Sequence, residues 1–217
     1  MEAAHAVRLA QPRRPIALRE HPLITFAADL LILWDAAPNA ISLASVGCSV
    51  LTAVAILATP AVPVAWAAAL LVIAALGIAL RGLCNVLDGL VAIEGGRGTR
   101  TGPLFNEIPD RISDSLLLVA LGAASGSALL GAIAALFAVA TAYVRLLGGA
   151  LLGTQSFAGP MAKQQRMTVA AAACLAGAAL APFGLTPQVM LAATVLVIIG
   201  SAYTLVRRTR AIAAQLP

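Results

Sequence analysis

Asn85 and Asp88 stand three residues apart, and Asn106, Asp110 and Asp114 follow at intervals of four. If both stretches are helical, each set lines one helix face. The 217-residue chain holds only 9 acidic residues, so this clustering is its most informative feature. Short carboxylate and amide side chains on two neighbouring helices can converge on a hard divalent cation. Mg²⁺ takes such oxygen ligands and commonly adds substrate phosphates. The ion would offset the charge of a diphosphate and stabilise a nucleotide leaving group. A more distal aspartate could then act as general base toward an incoming hydroxyl. Gly89, just past Asp88, leaves room for a bulky substrate head. The competing reading is that these acids cap helices, pair with Arg111 or sit in head-group water. Five polar oxygens in phase on adjacent helices favour metal or substrate binding.

The elements that carry these residues must cross a membrane. The chain is 61% hydrophobic and only 11% charged, against about 25% charged for soluble domains, and its mean hydropathy is +0.96. Three long stretches, 36–80, 115–144 and 167–206, contain no charge. Each can hold a hairpin of two spans of about 20 residues, the middle one if its helices keep their charged ends at the surface. Breakers sit near each centre: Pro60 and Pro63, then Gly122, Ser125 and Gly126, then Pro182, Gly184 and Pro187. The expected fold is an all-α, polytopic membrane protein of six transmembrane helices in three hairpins, at 41–59, 64–84, 105–123, 128–150, 167–182 and 188–206. Gly77, Gly122, Gly131, Gly148, Gly149 and Gly177 read as close-packing positions. The apolar run from Leu23 to Trp34 is too short to span and reads as an N-terminal interfacial helix. The expected division is a cytoplasmic segment at 1–37, a six-span domain at 38–210 and a tail at 211–217.

All 14 Lys and Arg lie outside the three uncharged stretches. The positive-inside rule then assigns both termini and the acidic cluster to the cytoplasm. The net charge of +5 suits anionic membrane lipids. The basic residues flank spans without interleaved aromatics, which argues against nucleic acid. Arg8, Arg13, Arg14 and Arg19 belong to the basic N-terminal segment. Arg207, Arg208 and Arg210 read as topology anchors. Arg145, Lys163 and Arg166, with Arg97, Arg100 and Arg111, could form an anion pocket around the metal site. His5 and His21 read as solvated. Cys48, Cys84 and Cys174 are scattered within spans and read as packing residues.

The segment from Asn85 resembles the signature of the CDP-alcohol phosphatidyltransferase family, D-x2-D-G-x2-A-R-x8-G-x3-D-x3-D. Without gaps, Asn85 takes the first aspartate position, Asp88 the second, then Gly89 and Ala92 match. Ile93 stands at the arginine, Gly102 matches the second glycine, Asn106 takes the third aspartate, and Asp110 matches the fourth. Pro38-Asn39-Ala40-Ile41-Ser42 resembles the start of the family's first span. Tyr143-Val144-Arg145 and residues 159–166 fall where members carry anion-binding side chains. The resemblance implies transfer of a phosphatidyl group from a CDP-linked donor, such as CDP-diacylglycerol, to a small alcohol or phosphorylated polyol. CMP would leave, as in phospholipid biosynthesis at a bacterial-type inner membrane. It implies Mg²⁺ or Mn²⁺ at Asn85, Asp88 and Asn106, with Asp110 as base, substrate contacts from Gly89, Gly102, Arg145, Lys163 and Arg166, and a homodimer. Two amides replace family aspartates, marking an atypical member. Glu107 or Asp114 could supply the missing charge, and a shifted register with a longer loop would do the same, making Asp110 the third aspartate, a metal ligand, and Asp114 the fourth, the catalytic base. A catalytically degenerate binding protein and a small cation-coupled transporter are the alternatives.

Overall fold

Proline opens most of the helices. Its missing N–H costs nothing in a first turn, where that donor has no intrahelical partner. The computed structural model describes residues 21–216. Helix α1 spans Pro22–Leu33, α2 Pro38–Ala58, α3 Val64–Glu94, α4 Gly102–Ala124, α5 Ala128–Leu152, α6 Lys163–Leu180 and α7 Thr186–Ala213. Short 3₁₀ turns at Thr59–Ala61 and Ala181–Phe183 extend α2 and α6. Among the described residues there is no strand. The basic segment with His5, Arg8, Arg13, Arg14 and Arg19 lies outside them.

The three hairpin turns fall at the expected breakers. Gly126 and Gly184 take positive φ there, 91° and 69°, which a side chain would resist. The opposite helix ends differ from expectation. The second span was expected to close at 84, but α3 continues to Glu94, 31 residues in all. At 1.5 Å per residue it is about 46 Å long, well beyond a hydrocarbon core of about 30 Å. Asn85 and Asp88 therefore ride on an extension of a spanning helix. Likewise α6 begins at Lys163, so Lys163 and Arg166 occupy its first turns rather than preceding it.

Five helices are long and apolar enough to cross a membrane: α2 with its 3₁₀ turn, α3, α5, α6 with its 3₁₀ turn, and α7. The protein is a multi-pass membrane protein. Helix α4 has 23 residues but carries Glu107, Asp110, Arg111 and Asp114, so only residues 115–124 of it are free of charge. It packs between α2 and α5. Pro109 inside it cannot donate to the Phe105 carbonyl, which opens the backbone ladder one turn below Asp110.

Small residues set the helix spacing. A Cβ on Gly122 would meet the backbone of Gly131, and one on Gly131 would lie 2.7 Å from the Leu118 carbonyl oxygen. Thus α4 and α5 touch backbone to backbone. Gly77 abuts Thr52, and Gly148 abuts Ile212. On α2 the buried residues Ser42, Ser45, Ser49 and Thr52 form one polar stripe. Ser45, Ser49 and Thr52 return their hydroxyls to carbonyls of their own helix, so they allow close approach without orphan donors. Cys174 is buried in the main core beside Leu71, Leu121 and Met190. Helix α1 lays Ala28 and its neighbours on Val86, Leu87, Leu90 and Val91 of α3. Leu23, Phe26, Leu33 and Trp34 around it stay exposed. Arg97 ties the loop after α3 to this corner through Asp35 and the Ala36 carbonyl.

Candidate active site

Helices α3, α4 and α6 bring their polar ends together around two adjoining cavities. The smaller, about 510 Å³, is lined by Ser42, Asn85, Asp88, Gly89, the loop from Arg97 to Gly102, and Asn106. The larger, about 940 Å³, is lined by Arg81, Asp110, Arg111, Lys163, Arg166 and Arg208 among others. Five residues belong to both walls: Asn85, Asn106, Glu107, Arg145 and Phe157. Expected site residues other than Asp114 therefore face one cavity or the other.

Asp88 is 7% exposed. Its Oδ2 accepts the Ser42 hydroxyl at 2.6 Å, so α2 fixes the carboxylate's orientation. Among the described residues no Lys or Arg pairs with it. Every acid on α4 has such a partner. Asp110 receives the Lys163 ammonium at 2.5 Å and Arg81 at 3.4 Å. Glu107 takes Arg145 at 2.6 Å. Asp114 accepts Arg81 at 2.6 Å on one oxygen and Arg166 at 3.1 Å on the other.

These pairings bear on two expectations. Asp114 lines neither cavity and is 1% exposed, with both oxygens occupied by arginines. It anchors α3 and α6 to α4. Glu107 lies on the shared wall, where one oxygen answers Arg145. Two arginines also carry unforeseen roles. Arg81, 1% exposed, is the hub between Asp110 and Asp114. It stands one turn before Asn85 and in phase with Asp88, a spacing that points to it. Arg208 is buried rather than an anchor, donating to the Ala158 and Thr141 carbonyls. Its signal was the preceding polar phase of Ser201 and Thr204, both buried. Arg207 and Arg210 are exposed, as anchors would be.

The donor set can be tested against a cation. Among the described residues no group of three or more His, Cys, Asp or Glu comes together to hold a metal. What the smaller cavity offers is one carboxylate, Asp88, and two amides, Asn85 and Asn106. A buried carboxylate with no basic side chain beside it is costly until a cation arrives. Amide and carboxylate oxygens with space for substrate oxygens suit a hard ion. The residues fit one divalent cation. They do not fit two, because Asp110 is already answered by Lys163.

No protein-family model matches the chain. It is 32% identical over 132 residues to the inner membrane protein YnbA of Escherichia coli (strain K12), a stretch covering 60% of this chain and 63% of that protein. The chain thus spans less than two thirds of that relative's length. The crystal structure of Mycobacterium tuberculosis phosphatidylinositol phosphate synthase (PgsA1) with CDP-DAG bound superposes with a TM-score of 0.68 at 21% identity, over 88% of this chain and 94% of that one. The same synthase in complex with manganese and citrate gives 0.68 at 22% identity, over 88% of each chain. The chain has the PgsA1 fold. At such identity the likeness concerns architecture. The PgsA1 crystals hold a CDP-linked lipid and a divalent metal within that architecture.

Proposed function

We propose that the protein is an integral-membrane transferase of the CDP-alcohol phosphatidyltransferase type. It moves a phosphatidyl or other substituted phosphate group from a CDP-linked donor, such as CDP-diacylglycerol, to an alcohol, and releases CMP. One observation carries the reading. Two cavities meet at Asn85 and Asn106, with an unpaired buried carboxylate on one side and the Asp110–Lys163 pair on the other.

The smaller cavity suits the donor. Its glycine-bearing loop offers backbone and Arg100 to a diphosphate, with Gly89 and Gly102 leaving space. A single Mg²⁺ or Mn²⁺ at Asp88, Asn85 and Asn106 would supply positive charge against that diphosphate and the departing CMP. The larger cavity suits the acceptor. Asp110 takes the proton of the acceptor hydroxyl as the new O–P bond forms and the P–O bond to CMP breaks. Lys163 and Arg81 hold the Asp110 carboxylate in place. The distribution of Lys and Arg supports a cytoplasmic site and cytoplasmic termini, and the family resemblance supports a homodimer.

Purified protein supplied with CDP-diacylglycerol, Mg²⁺ or Mn²⁺ and a panel of alcohols should release CMP, read by mass. Asp110→Ala should lower the rate by roughly 10²–10⁴-fold, the usual weight of a general base, and Asp88→Ala should abolish it. Wild-type rates in both variants would refute these roles. A catalytically silent binding protein of the same fold is favoured by one feature, the Lys163 ammonium against Asp110. Retained CDP binding without CMP release, revived by Asn85→Asp with Asn106→Asp, would select that reading.

A further inference from the structure

We propose that the Glu107 carboxylate is a built-in stand-in for a substrate phosphate, held by Arg145 until a phosphate-bearing ligand displaces it. This rests on the transferase reading for its biological meaning, though neither turnover nor metal is needed to test it. Six basic side chains line the larger cavity: Arg81, Arg111, Arg145, Lys163, Arg166 and Arg208. Among the described residues only three acids, Glu107, Asp110 and Asp114, answer them, so the cavity suits an anion. Most of its cations are nonetheless committed. Arg81 and Arg166 clamp Asp114, Arg208 is spent on two carbonyls, and Lys163 holds Asp110.

The Arg145–Glu107 pair differs in three respects. Among the described residues it is the one ion pair lying wholly on the wall shared by both cavities. Its side chains are 15% and 24% exposed, against 1–2% for the Asp114 cluster. And it is half-made: Glu107 Oε1 meets Arg145, while Oε2 has no hydrogen-bond partner among the described residues and lies 3.9 Å from Arg111. A phosphate, with three acceptor oxygens, would satisfy both arginines better than one carboxylate does. Arg145 is otherwise braced for that exchange. Gln155 accepts from its second nitrogen and the Phe157 ring lies 5.8 Å beneath its guanidinium, so it keeps its position when Glu107 leaves.

The test is isothermal titration of full-length protein in nanodiscs, in chelator-containing buffer, with inorganic phosphate, CDP and glycerol 3-phosphate. The last two separate a donor-borne from an acceptor-borne phosphate. Wild type should bind weakly. Glu107→Gln should bind inorganic phosphate and at least one of the other probes roughly tenfold more tightly, the scale of one charge-assisted hydrogen bond regained. Removing any acid would raise anion affinity somewhat, so the deciding comparison is a double-mutant cycle. In an Arg145→Gln background, Glu107→Gln should give no gain. A gain that persists without Arg145, or no gain in Glu107→Gln for any probe, overturns the proposal. Glu107→Ala provides a second route should the glutamine variant be poorly folded. CMP release is measured separately, so an inactive protein that shows the cycle retains this inference and loses only the transferase reading.

Discussion

Asp88 and Asp114 carry the same side chain at similar depth, and their surroundings give them opposite duties. Asp114 spends each oxygen on an arginine. Replacing it by alanine leaves Arg81 and Arg166 buried without a counter-charge, so stability should fall by about 3–5 kcal/mol, the cost of breaking a buried pair. A denaturant titration in detergent measures this. Asp88→Asn removes no ion-pair partner, so the same titration should move by less than about 1 kcal/mol while Mn²⁺ binding, followed by electron paramagnetic resonance, disappears. Equal destabilisation of the two variants would contradict this division. The in-phase oxygens at Asn85, Asp88, Asn106 and Asp110 were legible in the sequence because helical periodicity predicts a shared face. The pairing of Asp114 and Glu107 was not, since it depends on Arg81, Arg145 and Arg166 arriving from other helices. The role of Arg81 was hidden for the same reason, since its partners Asp110 and Asp114 lie on another helix.

Element turns were easier to read than element ends. Pro60, Pro63, Gly126, Gly184 and Pro187 break hairpins at positions where the backbone cannot continue a helix, and the turns lie there. The polar ends gave no such mark. A change from apolar to polar residues reports the edge of the hydrocarbon, whereas α3 keeps its hydrogen-bond ladder for another ten residues beyond 84. The glycines of α4 and α5 have a sharper consequence. With Gly122 and Gly131 in backbone contact, Gly131→Leu must push the helices apart. It should cost about 1–3 kcal/mol, as overpacking does, and should lower activity only through reduced folded protein. Replacement of Gly47, which has open space around its Cβ position and lines neither cavity, is the matched control.

At the scale of the molecule, charge asymmetry makes a direct prediction about sidedness. In a background with Cys48, Cys84 and Cys174 replaced, Glu94→Cys and Gln215→Cys should react with a membrane-impermeant maleimide only after permeabilisation. Ala128→Cys and Phe183→Cys should react in intact cells. The reverse pattern would invert the proposed orientation. Composition alone revealed a polytopic helical protein, because 61% hydrophobic residues cannot be hidden inside so small a soluble core. It did not reveal how α4 could reside among apolar helices while bearing four charges between Glu107 and Asp114. The ionic knot of Arg81, Asp114 and Arg166 explains that residence, and it also dictates an order of events during biosynthesis. Helix α4 emerges from the ribosome after α3 but before α6, so its Asp114 first meets Arg81 alone and waits for Arg166. An early α3–α4 pair can neutralise one charge with another as it leaves the translocon, but the knot closes only once α6 has been delivered. Chains truncated ahead of Lys163 would therefore present a half-neutralised helix to the bilayer.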